Sequence, residues 1–570
     1  MKTYWTTFYS YKGGVGRSLA LANVAALLVK QGHRVVLLDF DLEAPGLDSF
    51  KDFEEATDKQ GIVEYVASFQ RNKSAPDIKL FVHEVKKLPA QLRGKLWIMP
   101  SGRKDRAYNH LLSQTRWADL FKDEFGAAFI ENWKLSIEQE FKPDYVLIDS
   151  RTGLTEVGGV CTTAFPDLVV MLFGLNEQNV QGTATVARHI REAGLERQPQ
   201  FHFVTTPIPN LPPEKKGLLR LRFEAAEKTL GVNLIRREGD IDKTAPSSIR
   251  YWPTASLTEK LFVLEEEFSA TALVQDHISL CNRITRFNSN GLDYLTEQTE
   301  EAIETDNSDL AERLSAKLAK DYPERAEAVF LRSRLARLDG RGGNALELAE
   351  LAFERDPLFK PPFEYLCAQY RRAKQTEKIE ELCERILALG ASLSSKHRSD
   401  VLGTLAELRM SIGKYEPAAD HYAEVYRLES SVDHEDDEDG LPIDQMCHFF
   451  NAAESRRRAG QLVPIEIWKK IITLFEAFPA LGGLSTMTAN LWQAIHIAYA
   501  MVGDVPTAKE CLRKALKAAE AVNDIEIIFS ARDYRSVNRD EFKATTEELL
   551  AALDRGELWD GMKLPPLTAA

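Results

Sequence analysis

Residues 3–22 read Thr3-Tyr4-Trp5-Thr6-Thr7-Phe8-Tyr9-Ser10-Tyr11-Lys12-Gly13-Gly14-Val15-Gly16-Arg17-Ser18-Leu19-Ala20-Leu21-Ala22. The β-branched and aromatic run up to Tyr9 predicts a strand, and the residues after Gly16 open a helical pattern that closes at Gly32. Three glycines therefore sit where a strand turns into a helix. Without side chains at Gly13, Gly14 and Gly16 the backbone can turn its N–H groups toward one anion, and the helix N-terminus adds its dipole. The stretch from Gly13 through Val15 to Leu19 thus predicts a phosphate cradle, with the Ser18 hydroxyl in the first helical turn, within reach of a magnesium ion bridging the phosphates.

The general pattern Gly-x-x-x-x-Gly-Lys-[Ser/Thr] fails twice here, with Tyr11 for the first glycine and Arg17 for the lysine. What remains, Lys12-Gly13-Gly14-Val15-Gly16-Arg17-Ser18, resembles the deviant Walker A motif of MinD/ParA-like ATPases, in the branch with arginine in the second basic position. The resemblance implies ATP and Mg2+ as ligands, and a nucleotide-sandwich homodimer in which Lys12 reaches the partner's phosphates. Arg17 is planar and permanently charged, so it grips two oxygens where lysine offers a point charge. The exchange leaves binding intact in principle and puts the hydrolysis rate in question.

Further strands follow. Arg34-Val35-Val36-Leu37-Leu38-Asp39-Phe40-Asp41 is a continuous apolar run ending in two carboxylates, and Asp144-Tyr145-Val146-Leu147-Ile148-Asp149 is another ending in one. Ligands gather at the C-terminal ends of parallel strands, so both tips face the nucleotide. Asp149 reads as the metal-holding acid of that strand. The resemblance assigns Asp39 to the metal's water shell and Asp41 to orienting the attacking water. Arg151, two residues on, reads either as a charge stabiliser on phosphate or partner, or as a surface ion pair. Leu96–Pro100, Asp167–Phe173 and Gln200–Pro207 supply the remaining strands. By resemblance, Pro207 and Pro253 enclose the adenine. Strands alternating with helical stretches predict a doubly wound, mainly parallel α/β domain over residues 1–287, followed by a linker at 288–294.

From Leu295 strands give way to alanine, leucine and charged residues. Pro323 and Pro357 lie 34 residues apart, as do the turn positions Asp306, Gly340 and Lys374, with Gly413, Gly460 and Gly503 following at looser spacing. Ala345, Ala349 and Ala352 recur as Ala418, Tyr422 and Val425, then as Ala508, Leu512 and Ala515. Trp492-x-x-Ile495-His496-x-x-Tyr499 resembles the tetratricopeptide signature. Residues 295–523 are therefore read as an all-α solenoid of about five degenerate repeats, a surface for a protein partner. Residues 524–570 are read as a cap, with a strand near Ile525–Phe529, a helix from Arg539 and a loose tail. The acidic run His434–Asp439 reads as an exposed loop.

A net charge of −14 over 570 residues disfavours general attraction to nucleic acid or anionic membrane, leaving Lys215, Lys216, Arg220 and Arg222 as the one basic concentration. No apolar run reaches the roughly 18 residues of a membrane span, and six scattered cysteines without a Cys-x-x-Cys indicate neither a zinc site nor disulfides. A cytoplasmic protein is expected. Within the resembling family, Cys161 alone does not make an iron–sulfur pair, and Gly561–Ala570 has neither acceptor tyrosines nor a basic membrane helix. Two function classes remain. One is a slow ATP-hydrolysing switch that recruits a protein through its repeats, an architecture that also resembles phage-defence modules; the other is a non-hydrolysing nucleotide-binding scaffold.

Overall fold

The computed structural model describes the chain except residues 1, 90–91, 116, 118–123, 196, 213–214, 233, 235–246, 255–258, 270, 341, 391–392, 431–442, 478–484, 524–525 and 565–570. The acidic run 434–439 and most of the C-terminal tail lie outside the described residues. Two compact units emerge, Met1–Pro362 and Phe363–Ala570.

The first unit is built on an eight-stranded sheet: β1 (Tyr4–Tyr9), β2 (Arg34–Asp39), β3 (His83–Glu84), β4 (Lys95–Met99), β5 (Tyr145–Asp149), β6 (Leu168–Phe173), β7 (Gln200–Ile208) and β8 (Ser247–Arg250). Its spatial order is β3-β4-β2-β5-β1-β6-β7-β8, parallel throughout except for the β3–β4 edge. The helices of this half are α1 (Arg17–Lys30), α2 (Ile62–Asn72), α3 (Arg106–Gln114), α4 (Glu124–Phe141), α5 (Glu156–Thr163), α6 (Glu177–Glu192), α7 (Lys216–Leu230) and α8 (Ala272–Phe287). Successive side chains of a strand point to opposite faces. Val35 and Leu37 of β2 thus join Tyr145 and Leu147 of β5 in a core against α1 and α8, while Val36 and Leu38 join Val146 and Ile148 against α2 and α4. Both faces being covered explains why these strands are apolar on both faces between their ends. The sequence signals six of the eight strands; β3 and β8 are two- and four-residue edge elements without an apolar run.

The same unit continues through α9 (Leu292–Glu304), α10 (Ser308–Asp321), α11 (Ala326–Leu338) and α12 (Gly342–Arg355). Asn288–Gly291, expected to lie in a linker, is a turn inside this unit, closed by the Gly291 N–H donating to the Asn288 carbonyl at 2.8 Å. An ionic network binds these helices to the N-terminal ends of the strands. His33 Nε2 lies 2.8 Å from Asp293 and its Nδ1 3.5 Å from Asp144. Arg325 donates to the Gly32 carbonyl at 2.8 Å, and Arg93 spans Glu327 at 2.7 Å and Asp356 at 2.5 Å.

The second unit holds α13 (Lys360–Arg372), α14 (Thr376–Leu387), α15 (Ser395–Ser411), α16 (Tyr415–Ser430), α17 (Ile443–Arg458), α18 (Ile465–Glu476), α19 (Thr486–Met501) and α20 (Val505–Glu520). An antiparallel hairpin, β9 (Ile527–Ser530) and β10 (Arg535–Asn538), and α21 (Arg539–Asp554) complete it. Across the chain, the turn positions Asp306, Gly340, Lys374, Gly413, Gly460 and Gly503 all have positive φ, between 55° and 87°, and each follows the first helix of a pair. The recurring triads at Ala345, Ala418 and Ala508 are fully buried where paired helices meet. The alanine that opens each triad lets two helix backbones approach closely.

Candidate functional site

The glycine loop and the tips of β2 and β5 meet at the C-terminal end of the central strands. β1 ends at Tyr9, and Ser10–Gly16 loops into α1 with Gly14 and Gly16 at φ 78° and 77°. L-residues with side chains rarely adopt that region, so the loop requires glycine at both positions. A Cβ built on Gly13, Gly14 or Gly16 would meet nothing within 4 Å, because the loop backbone borders open space. A cleft of about 710 Å³ lies there, lined by the loop, Ser18, Leu19, Asp41, Glu43, Arg151 and Glu259 among others.

Sheet register brings the carboxylates together. Asp39 of β2 pairs with Asp149 of β5, and β5 runs beside β1, where Phe8 pairs with Asp149. Arg17, at the first position of α1 and 6% exposed, is set between them. Its Nη2 lies 2.7 Å from Asp41 Oδ2, and its Nε is paired with Asp149 Oδ1. Burial opposes the Arg17 charge, but the two carboxylates outweigh it and raise its pKa further. Burial lifts Asp149 above the usual carboxylate range, with Arg17 and the Ser18 hydroxyl pulling against the rise. Asp39 is pushed well up by burial and by Asp149. Its oxygens accept the backbone N–H groups of Asp41, at 3.2 Å, and Leu47, at 3.3 Å, so it holds the loop after β2 and does not line the cleft.

Three buried atoms in this region have no hydrogen-bond partner: Arg17 Nη1, Asp149 Oδ2 and Ser10 Oγ. Buried polar groups are normally satisfied, so orphans concentrated beside an open glycine loop fit a polyanion and its cation. No cluster of three or more His, Cys, Asp or Glu among the described residues could hold a metal by itself. Magnesium suits such a site, because it takes one or two carboxylates and fills its sphere with phosphate oxygens and water.

Other expected residues lie around this centre. Arg151 lines the cleft and forms a bidentate pair with Glu43, so it has an ionic partner in the same chain. Lys12 is half-buried and outside the cleft, donating to the Gln178 side chain on α6. Pro207 and Pro253 are exposed and do not line the cleft; the neighbouring Thr206 hydroxyl instead donates to the Val15 carbonyl at 3.2 Å. Glu43 and Glu259 were not signalled by any motif, although the alternation Asp39, Asp41, Glu43 places a third acid on the same loop.

Tyr11, which replaces the usual first glycine, is directed away from the cleft onto α6. Its ring lies where a side chain on Gly182 would be, 2.1 Å from a Cβ built there. Gly182→Ala is expected to displace Tyr11 and, with it, the start of the phosphate loop, at a cost of about 1–3 kcal/mol. Thermal unfolding and ATP titration measure this against Gly159→Ala, where the added Cβ meets nothing within 4 Å.

The sequence can now be set beside known proteins. Residues 6–99 match the CobQ/CobB/MinD/ParA nucleotide-binding domain family. That match covers the glycine loop, α1, β2 and β4, and with them Asp39 and Asp41. No curated protein matches the chain. Solved structures similar to it include the MinD cell division protein of Aquifex aeolicus, at 18% identity over 50% of this chain and 97% of that one, with a TM-score of 0.34. A ParA family ATPase from Chlorobium tepidum TLS is 13% identical over 49% of this chain and 99% of that one, with a TM-score of 0.35. A plasmid partition protein of Borrelia burgdorferi bound to AMPPNP is 16% identical over 50% and 98%, with a TM-score of 0.33. No helix among the described residues is long and apolar enough to cross a membrane.

Proposed function

We propose that the protein is an ATP- and magnesium-dependent switch: the α/β half binds nucleotide, pairs with a second copy and hydrolyses ATP slowly, and the helical repeats recruit or control a protein partner. The observation that carries this reading is the open glycine loop at the tip of β1, with Arg17, Asp41 and Asp149 converging beside it. Gly13–Gly16 amides and the α1 N-terminus would hold the phosphates. Asp149 and Ser18 would hold magnesium, which supplies charge neutralisation between the phosphates. Asp39 keeps the Asp41 loop in place through its two backbone contacts. Lys12, outside its own cleft and held half-buried by the Gln178 side chain, would complete the site of a partner copy. Charge stabilisation shared between copies leaves a lone subunit slow.

The mass in solution of wild type and Lys12→Ala, with ATP, with ADP and without nucleotide, tests the reading. Wild type is expected to double its mass with ATP alone, and Lys12→Ala to remain single; a mass indifferent to nucleotide overturns the switch. A second reading, a scaffold that binds nucleotide without turnover, is favoured by Arg17 being held on both carboxylates that hydrolysis would employ. Magnesium-dependent phosphate release separates the two.

A further inference from the structure

Arg17 occupies a position at odds with a residue that serves only to grip phosphate. Its guanidinium lies across two acids, Nε on Asp149 and Nη2 on Asp41, with a third acid, Asp39, beside Asp149 in register. A cation in that place does what a metal would do, neutralising carboxylates that would otherwise repel one another at close range. Arginine cannot vacate the role by losing its proton, since it stays charged at every accessible pH. It can leave only by moving its charge onto another anion.

We infer that Arg17 is the resident counter-ion of the metal site and that nucleotide phosphate releases it, so a divalent metal enters this cleft with or after nucleotide and never before it. The inference rests on the nucleotide reading above and adds an order of events to it. Two observations support it beyond the pairing. Arg17 Nη1 is buried without a hydrogen-bond partner although the residue lines the cleft, so the two acids leave one donor unused, which a phosphate oxygen would take once the side chain moves. Asp149 meets the guanidinium through Oδ1 and also interacts with the Ser18 hydroxyl, so Oδ2 lies outside the ion pair, on a carboxylate that already has the Ser18 hydroxyl beside it. A purely structural buried ion pair is expected to satisfy both its members, because each unmade bond is costly in a low-dielectric setting. Lysine in the same place would do this less well, since the two carboxylates are reached by two different nitrogens of one rigid fork and an ammonium offers a single nitrogen. The arginine that departs from the general phosphate-loop pattern is therefore a lock on the metal site, opened by phosphate.

Manganese serves as the metal probe, followed by the electron paramagnetic resonance of its free ion, on the full chain with and without ATP. Wild type is expected to bind one Mn2+ with ATP present and to bind it at least about tenfold more weakly without ATP. Arg17→Met, which keeps the apolar stem and removes the charge, is expected to bind Mn2+ without nucleotide at least about tenfold more tightly than wild type does, and Arg17→Lys to fall between. Nucleotide-free wild type binding Mn2+ as tightly as wild type with ATP overturns the inference while leaving the nucleotide reading intact, and this comparison needs no variant to fold. A fluorescent ATP analogue that fails to bind wild type, with or without metal, overturns the nucleotide reading itself and the order of entry with it.

Discussion

Asp41→Asn is expected to lower magnesium-dependent phosphate release by about 10²- to 10⁴-fold, the usual contribution of a group that positions or activates a nucleophile. Asp41 is the one carboxylate of the three that lines the cleft, and it sits on the loop directly after β2, within 2.7 Å of Arg17 Nη2. Asp149 is fully buried and Asp39 faces the backbone of its own loop. Once Arg17 has moved to phosphate, Asp41 becomes the acid with both a free oxygen and access to water. The amide keeps its shape and can still accept from Arg17, so folding and ATP affinity are expected to stay near wild type while turnover falls. A steady-state phosphate assay with a parallel ATP titration reads the two apart. Turnover unchanged in Asp41→Asn would remove this residue from the reaction and favour the scaffold reading. A fall in affinity equal to the fall in turnover would mean that Asp41 serves binding instead.

The central sheet was legible because its signals are local. A glycine loop needs no partner to be recognised, and strands buried on both faces, such as β2 and β5, announce themselves as apolar runs ending in acids. The cleft itself was legible only in part. Sequence spacing placed Asp39, Asp41 and Asp149 at strand tips, but not which of them faces the cleft, since that depends on how the loop after β2 turns back onto Asp39. Arg151 read equally as phosphate contact or surface pair, and Glu43, its partner, lies 108 positions away. Pro207 and Pro253 were assigned by resemblance and are exposed outside the cleft, while Thr206 makes the contact to the loop. The largest omission is the ionic network on α9–α12. His33 follows a helix-closing glycine and Asp293 opens what looks like a new domain, and no period or motif connects residues 260 positions apart.

That network sets the second large effect. His33 is fully buried between Asp293 and Asp144, and although burial alone would lower its pKa, the two carboxylates raise it to about 9. His33→Ala removes the cation in direct contact with both acids and leaves them only Arg325, 3.9 Å from Asp144. Removing one partner of a buried ion pair costs about 3–5 kcal/mol, because the survivor is left charged in a poor solvent. Unfolding of the full chain in urea is expected to show a loss of that size, and Asp293→Asn placed on top of it to cost less than it does in wild type. The pH dependence carries a definite sign. A histidine whose folded pKa is raised stabilises the fold fully below its unfolded value of about 6.5, and that contribution is lost as pH rises toward about 9. It amounts to something on the order of 3 kcal/mol. His202, His277 and His496 are also fully buried, but burial pushes them down to about 3, 4 and 4, so their titration lies on the acid side and does not mask this one. Proteolysis of wild type within α9–α12 is therefore expected to accelerate between pH 7 and 9.5, and that of His33→Gln to be fast and nearly flat over the same range. His33 precedes β2 and Asp144 precedes β5, the two strands whose far ends carry Asp39, Asp41 and Asp149. The clamp and the carboxylates thus sit at opposite ends of the same two strands, so His33→Ala is expected to weaken the fold of the whole α/β half and not of α9–α12 alone.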